Sequence, residues 1–387
     1  MPDMAGPVQH AQMRASNLAL VLRAIADTGT ITRVQTATAT GLTKSSISGL
    51  VADLVAAGLV EETEAVPSRG GDRGRPSAML ALHRHGAAGL GLELNVDYLA
   101  ALVVDLGGTV RYRHVVTRDN RGRPSAEVLA ELDQLAQEGV AATREQGLIL
   151  AGACVAIPGA ADGTTISRAP NLGWAEVPVE VPLPETAYGL QLENEANLAA
   201  LGELWFGVPT PRDFVHVSGE IGIGAGIVVN GELFRGAHAR AGELGHVVVD
   251  PLGPACSCGG RGCLERLAGL EAILASAGAA SRGELEQRCA ARDPAALGAV
   301  ADAGRLVGAA LASATNLLDP DAIVLGGVFA ALAPWLAPAV SESLAAHAAG
   351  AELLVSSLGA DAAVRGAAGS VIRRVIDDPA IFLSAQG

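Results

Sequence analysis

The chain has 387 residues and a formal net charge of −14, and half of its residues are hydrophobic but only 3% are aromatic. That length exceeds one ordinary core, so two or three domains are expected. The excess of acid argues against nucleic-acid binding by the chain as a whole, and no apolar run approaches the ~20 residues of a membrane span. The N-terminus, MPDMAGPVQHAQMRASN, lacks the apolar core of a signal peptide, so a soluble cytoplasmic protein is expected.

The charge is uneven. Residues 1–86 carry eight basic and seven acidic side chains, leaving −15 on the remainder. Within this near-neutral stretch, Leu18, Val21, Leu22 and Ile25 recur at helical spacing and mark a first amphipathic helix ending near Gly29. A short segment from Thr32 to Thr40 stops at Gly41. Thr43 then caps a third helix with the apolar face Ile47, Leu50, Val51, Leu54 and Val55, and its other face carries Lys44, Ser45, Ser46 and Ser48. Lys44 is the only lysine in the chain. Helix, short helix, capped helix and then a strand entered at Gly58 is the order of a winged helix-turn-helix, whose third helix lies in the major groove of DNA. Its wing is expected over Val60 to Leu82, where flexible glycines let Arg69, Arg73 and Arg75 reach phosphates or a narrow minor groove. The alternative is a three-helix oligomerisation or docking module with a solvated arginine loop. The string Arg-Gly-Arg-Pro recurs at 121–124 outside this module and so discriminates little; the order of elements carries the inference.

Beyond Gly86 short apolar strands alternate with Ala-rich helices, an α/β pattern. Strands are expected at Gly89–Leu94, Tyr98–Val104 and Val110–Thr117, then a helix from Ser125 to Arg144 and a strand from Leu148 to Ile157. Further strands are expected at Phe214–Val217, Ala225–Val229 and Ala322–Leu325, the last preceded by a helix over Ala301–Leu318 and followed by a Gly326-Gly327 loop. Cys154 reads as a buried core thiol, Cys289 lacks an evident partner, and His216 reads as an ordinary polar residue.

Gly242 to Glu265 holds three of the five cysteines. Cys256, Cys258 and Cys263 with His246 upstream make a Cys₃His set at the spacing of a structural zinc site. Three clustered thiols cannot all pair as disulfides, and Gly259, Gly260 and Gly262 allow a tight fold around one ion.

The string Gly242-Glu243-Leu244-Gly245-His246, followed by Cys-x-Cys-Gly-Gly-x-Gly-Cys-Leu-Glu, resembles the signature of the ROK family of repressors, open reading frames and sugar kinases. The resemblance extends to Ile157-Pro158-Gly159, Asn171 to Trp174, Glu193 to Asn197 and Asp319 to Gly327. It implies an actin-like, two-lobed sugar-kinase-type body over residues 87–387, with lobe 1 at about 87–195 plus the C-terminal helix and lobe 2 at about 196–365. It further implies that Gly159, Asn194, Glu195, Glu243, His246 and Glu265 meet a sugar. A winged helix on such a body resembles the family's sugar-responsive repressors of the xylose and N-acetylglucosamine type.

The family's kinases carry an acidic residue followed by Gly-Gly-Thr after the first strand, which Asp105-Leu106-Gly107-Gly108-Thr109 imitates. Strand order instead makes this a hairpin turn between the second and third strands. The loop after the first strand becomes Glu93 to Asp97, which lacks both glycines. In a second phosphate loop, Glu220 stands where the kinases have a small hydroxyl residue, and Glu195 replaces their Asp general base; a ~1 Å misplacement can cost ~100-fold in rate. Three readings follow. The first is a non-enzymatic, sugar-responsive regulator, a repressor that binds operator DNA as a homodimer or homotetramer and releases it on binding a sugar or sugar phosphate. The second is an ATP-dependent, glucokinase-like enzyme, and the third a DNA-binding protein whose body only dimerises.

Overall fold

The periodic apolar set Leu18, Val21, Leu22 and Ile25 is buried and turns one face of helix α1 (Ala5–Thr28) inward. The computed structural model describes residues 5–63, 78–207, 211–219, 222–348 and 350–386. Strand β1 (Thr30–Thr32) leads into α2 (Arg33–Thr40), where Thr32 and Gln35 cap each other's backbone reciprocally. Helix α3 (Lys44–Ala56) starts at Thr43, whose hydroxyl accepts from the Ser46 amide at 3.2 Å. It buries Ile47, Leu50, Val51 and Leu54 and leaves Thr43, Lys44, Ser45, Ser46 and Ser48 exposed. Strands β2 (Val60–Thr63) and β3 (Met79–Leu82) pair antiparallel, and β1 adds to the other edge of β3. Three helices and this sheet form the expected winged arrangement; Arg69, Arg73 and Arg75, in residues 64–77, lie outside the described residues.

The next three strands are β4 (Ala87–Leu94), β5 (Tyr98–Asp105) and β6 (Val110–Thr117), consecutive hairpins as the apolar runs predict. Helix α4 (Ser125–Glu145) and strand β7 (Ile149–Ile157) follow. A small antiparallel sheet of β8 (Ala160–Asp162), β9 (Thr165–Ala169) and β10 (Trp174–Pro178) comes next, then β11 (Leu190–Asn194) and α5 (Glu195–Phe206). The first large sheet runs β11-β7-β4-β5-β6.

The second is built from β12 (Phe214–Gly219), β13 (Ile223–Val229) and β14 (Glu232–Leu233), then, after four helices, β15 (Ala322–Gly326) and, after two more, β16 (Glu352–Val355). The four are α6 (Leu264–Ala268), α7 (Leu270–Ala277), α8 (Arg282–Ala290) and α9 (Pro294–Leu318); the two are α10 (Gly327–Ala331) and α11 (Ala333–His347). Its order is β14-β13-β12-β15-β16. Gly326 closes β15 and Gly327 opens α10, so the expected Gly-Gly loop is a strand running straight into a helix. Helix α9 is long and apolar enough to cross a membrane by composition, but its Ala299, Val300, Ala303, Val307 and Leu311 are buried in the core of this second half.

The Asp105 to Thr109 segment is a hairpin turn. The Asp105 amide donates to the Thr109 carbonyl at 3.0 Å, and the Thr109 amide donates to the Asp105 carboxylate at 2.9 Å. Asp105 is buried and accepts from Arg111 Nε at 2.6 Å. Its carboxylate is thus consumed by the turn and by one arginine.

Helix α12 (Ala362–Asp377), followed by α13 (Pro379–Ser384), links the parts. One side of α12 packs on β4, β7 and β5, another on α5, and its C-terminal half lies under α1. Val371, Ile372, Val375 and Ile376 share one apolar core with Leu18, Val21, Leu22 and Ile25. Arg23 Nε donates to the Asp377 carboxylate at 2.7 Å across the same seam. The α5 and α12 backbones touch: a Cβ on Gly366 would lie 1.8 Å from the Leu198 carbonyl oxygen, and one on Gly202 would lie 2.2 Å from that of Ala362. On the opposite side, Cβ atoms at Gly89 and Gly91 would meet the Ala368 and Val364 carbonyls.

Candidate functional site

Strand β11 ends in Glu193 and Asn194, and α5 begins with Glu195, so three polar residues gather where a strand meets a helix N-terminus. Asn194 Oδ1 accepts from the Ala196 and Asn197 amides at 2.9 and 3.3 Å, capping α5. Its Nδ2 donates to the Gly159 carbonyl at 3.0 Å, which leaves one N–H for a ligand. Glu195 stands in the first turn of α5, where the helix dipole favours an anion, and accepts from Asn95 Nδ2 at 3.2 Å. Glu193 accepts from Asn197 Nδ2 at 3.0 Å and from Arg235 Nε at 2.9 Å. Arg235 follows β14 in the second half, so this ion pair spans the two halves.

The opposite wall is the turn from Glu243 to His246, a single 3₁₀ turn rather than an α-helical one. Glu243 and His246 face the same side, with Glu243 Oε2 3.9 Å from His246 Nε2. Gly159, Asn194, Glu195, Glu243, His246 and Glu265 all line one cleft of about 2190 Å³ including its solvent-filled mouth. A single monosaccharide fills only part of such a space. Carboxylates, one imidazole and one amide there converge on a space where hydroxyl groups would find several acceptors.

Behind His246 lies the cysteine cluster. One donor atom each from His246, Cys256, Cys258 and Cys263 lie within 4.8 Å of one another. Cys258 Sγ and Cys263 Sγ are 3.6 Å apart, and Cys256 Sγ is 3.7 Å from His246 Nδ1. A tetrahedral ion with bonds of about 2.0–2.3 Å needs donor separations of about 3.3–3.8 Å, which these two pairs meet, and the four donors together could hold one metal ion. Gly262 closes the loop in the left-handed region at φ 67°, where a Cβ would lie 1.5 Å from the Asp250 carbonyl oxygen. Burial and the neighbouring thiols push the Cys263 thiol up to about 12, and burial raises Cys256, whereas the Gly260 amide lowers Cys258. A bound divalent ion would lower all three, because coordinating thiols deprotonate. His246 directs Nδ1 at Cys256 and Nε2 toward Glu243, so one imidazole serves cluster and cleft together. Glu265 Oε1 lies 3.1 Å from Cys256 Sγ and 3.5 Å from His246 Nδ1.

Glu195 also lines a second, inner chamber with Glu93, Asn95, Tyr98, His216 and Ser218. Here the structure corrects the reading of His216 as an ordinary polar residue. It is fully buried on β12, and neither ring nitrogen has a hydrogen-bond partner among the described residues. Burial lowers its pKa to about 4. Glu93 is equally buried; burial pushes its carboxyl up to about 7, against the pull of the Tyr98 hydroxyl at 2.6 Å and Asn95 Nδ2 at 3.4 Å. Sequence reasoning also missed Glu193, Asn95 and Arg235. Glu193 and Asn95 sat inside the quoted Glu193 to Asn197 and Glu93 to Asp97 segments, whereas nothing local marked Arg235. Cys154 is buried, as read, and so is Cys289. Glu220 lies outside the described residues.

Residues 89–374 match the sequence profile of the ROK family, and residues 19–71 match that of the MarR family. The chain is 30% identical over 382 residues to the xylose repressor of Bacillus subtilis (strain 168), covering 93% of this chain and 96% of the relative. Its structure is similar to that of a ROK family transcriptional regulator described as a homologue of the E. coli MLC protein, with TM-score 0.81, 25% identity and coverage of 97% of this chain and 100% of the other. It is also similar to a ROK family glucokinase from Streptomyces griseus in complex with glucose and AMPPNP, with TM-score 0.63, 25% identity, 73% of this chain and 98% of the other.

Proposed function

The chain belongs to the ROK family, and from that premise we propose that it is a sugar-responsive transcriptional repressor that binds operator DNA and releases it when a sugar enters the cleft. The observation that carries this reading is the shared apolar core of α1 and α12, which joins an exposed, capped α3 to the cleft within one body. Relatives named xylose repressor support it. Residues 1–86 form the DNA-binding unit and 87–387 the sensing unit. Lobe 1 takes about 87–195 with the C-terminal helix, and lobe 2 about 196–365.

Lys44, Ser45, Ser46 and Ser48, with Thr43 at the cap and Arg69, Arg73 and Arg75 in the wing, contact the operator. Gly159, Asn194, Glu195, Glu243, His246 and Glu265 hold the sugar. Zinc on His246, Cys256, Cys258 and Cys263 braces the wall that carries Glu243 and Glu265. Two operator half-sites need a two-fold protein, so the working form is a homodimer or a dimer of dimers, and its place is the cytoplasm.

Glu195 orients the ligand and does not catalyse. Asp105 is taken up by its hairpin, and the Glu93 to Asp97 turn, buried from Glu93 to Val96, offers no glycine amides to a triphosphate. The likeness to a glucokinase favours a kinase as the second reading. Sugar phosphorylation with ATP, abolished by Glu195→Ala, would establish it.

The deciding experiment is a mobility shift of the purified protein on the DNA upstream of its own gene, repeated across a sugar panel. A shift reversed by one sugar class is expected. Absence of a shift at every salt concentration overturns the regulator reading.

A further inference from the structure

The link between the DNA-binding unit and the body is short and fastened from both sides. Strand β3 ends at Leu82 and β4 begins at Ala87, so only His83 to Gly86 lie between them. On the DNA-binding side, the His83 amide donates to the Leu59 carbonyl at 3.0 Å, and His83 Nδ1 lies 3.2 Å from the Gly58 carbonyl oxygen. Gly86 touches the same turn, which directly follows α3: a Cβ there would lie 1.8 Å from the Gly58 oxygen. On the body side, the Asp105 to Thr109 hairpin closes over the link. The Leu106 amide donates to the Ala87 carbonyl at 2.9 Å, and Leu106 belongs to the apolar core that holds α1 and α3. A Cβ on Gly107 would lie 2.9 Å from Arg84 Cγ. Arg111 on β6 ties hairpin and link together: its Nε donates to the Asp105 carboxylate at 2.6 Å and its Nη2 to the Arg84 carbonyl at 3.1 Å. At the other end of β4, Asn95 donates to Glu195 in the cleft, so one strand runs from the link to a ligand-facing helix.

Resting on the regulator reading above, we infer that Asp105 and Arg111 are positioning residues of the sugar response: they lock the link to the body, so that a displacement of β4 reaches α3 instead of being absorbed between the two units. A unit held along one seam can rock about it, and the core shared by α1 and α12 is one such seam. The link is a second fastening, and two together fix an orientation. One guanidinium makes both bonds, because its donors are separate and held in one plane. The buried Asp105 carboxylate holds that fork still, since its other oxygen accepts from the Thr109 amide at 2.9 Å. The string that imitates a phosphate loop thus has a use in this chain that needs no nucleotide.

The test compares the full-length wild type with Arg111→Lys and with the double variant Asp105→Asn, Arg111→Gln. The lysine keeps an ion pair with Asp105 and loses the bond to Arg84, whereas the double variant removes both charges and leaves no buried carboxylate unpaired. Mobility shifts on the DNA upstream of the gene, without sugar and with xylose, glucose or N-acetylglucosamine in excess, give the factor by which a sugar weakens DNA binding. Calorimetry gives the affinity for the same sugar. That factor should fall about fivefold or more in both variants, while sugar affinity and sugar-free DNA affinity stay within about twofold of wild type. An unchanged factor, or one lost only together with sugar or DNA affinity, overturns the inference and leaves the regulator reading standing. DNA binding by the wild type with no response to any sugar overturns both. Hydrogen exchange on the wild type gives a reading that needs no variant. The His83 and Leu106 amides should stay equally protected with and without the sugar, and a link that opens on sugar binding overturns the inference.

Discussion

Asn95 donates its side-chain amide to Glu195 at 3.2 Å, so the turn after β4 holds the first residue of a helix 100 positions further along the chain. The same amide lies 3.4 Å from Glu93, and the Asn95 side-chain oxygen accepts from the Val96 amide at 2.6 Å. A buried group with three such contacts is costly to remove. Asn95→Ala should lose about 1–3 kcal/mol of stability, measured by chemical denaturation, because the buried Glu93 and the half-buried Glu195 lose a donor. It should also reduce the melting shift produced by a bound sugar, since Glu195 is no longer oriented. An unchanged ligand-induced shift would assign Asn95 to stability alone.

Metal content tests the cluster directly. About one zinc per chain is expected by elemental analysis, and Cys263→Ser, at a fully buried ligand, should lose it along with several degrees of melting temperature. The sign of the pH effect follows from the ligands. Thiolates and a neutral imidazole are the forms that would bind an ion, so metal retention should fall as pH falls, and a chelator should strip it faster at pH 5.5 than at pH 8.

On the DNA side, Lys44 and Thr43 should behave differently although they are neighbours. Lys44→Ala should weaken binding nearly uniformly across sequences and reduce the salt slope by about one. Thr43→Ala removes the bond to the Ser46 amide and should cost about 1 kcal/mol of stability with little change in that slope. Mobility shifts at several salt concentrations, alongside denaturation curves, separate the two.

Glu93 and His216 give opposite pH dependences. For Glu93 the folded value, about 7, lies above the ordinary 4.5. The folded state therefore holds the extra proton between those values, and stability falls as pH rises from about 4.5 to 7, by up to ~3 kcal/mol. For His216 the folded value, about 4, lies below the ordinary 6.5. There the unfolded state holds the extra proton, and stability is lost as pH falls from about 6.5 to 4. The two slopes offset each other in the wild type. Glu93→Gln should leave a stability that climbs with pH up to about 6.5, and His216→Asn one that declines up to about 7. Denaturation midpoints at half-unit pH steps read both, and parallel profiles for the two variants would disprove the account.

Much of this architecture was legible from local pattern. The i, i+3, i+4, i+7 spacing of Leu18 to Ile25 predicted the buried face of α1, and Thr43 predicted the start of α3. Counting apolar runs placed Asp105 in a hairpin rather than a phosphate loop, and cysteine spacing assembled four donor atoms. What escaped was long-range. Strands of two to five residues such as β14 and β8 to β10 are too short to show periodicity. Arg235 and Glu193 are 42 positions apart, and nothing near either announces the other. His216 alternates with apolar neighbours exactly as an outward-facing residue would; it is buried because Gly326 on β15 leaves room for its ring, a Cβ there lying only 2.1 Å from Nε2.

The glycines around α12 bear on how the molecule moves. Where side chains separate two helices, rotamer changes absorb small displacements and soften whatever passes between them. Here Gly202 and Gly366 set backbone against backbone, as do Gly89 and Gly91 against the other flank. A peptide unit has no rotamers to spend, so a displacement of α5 against α12 at these contacts cannot be taken up by side-chain rearrangement and is passed on from backbone to backbone. The far end of α12 is Asp377, which accepts from Arg23 of the first helix.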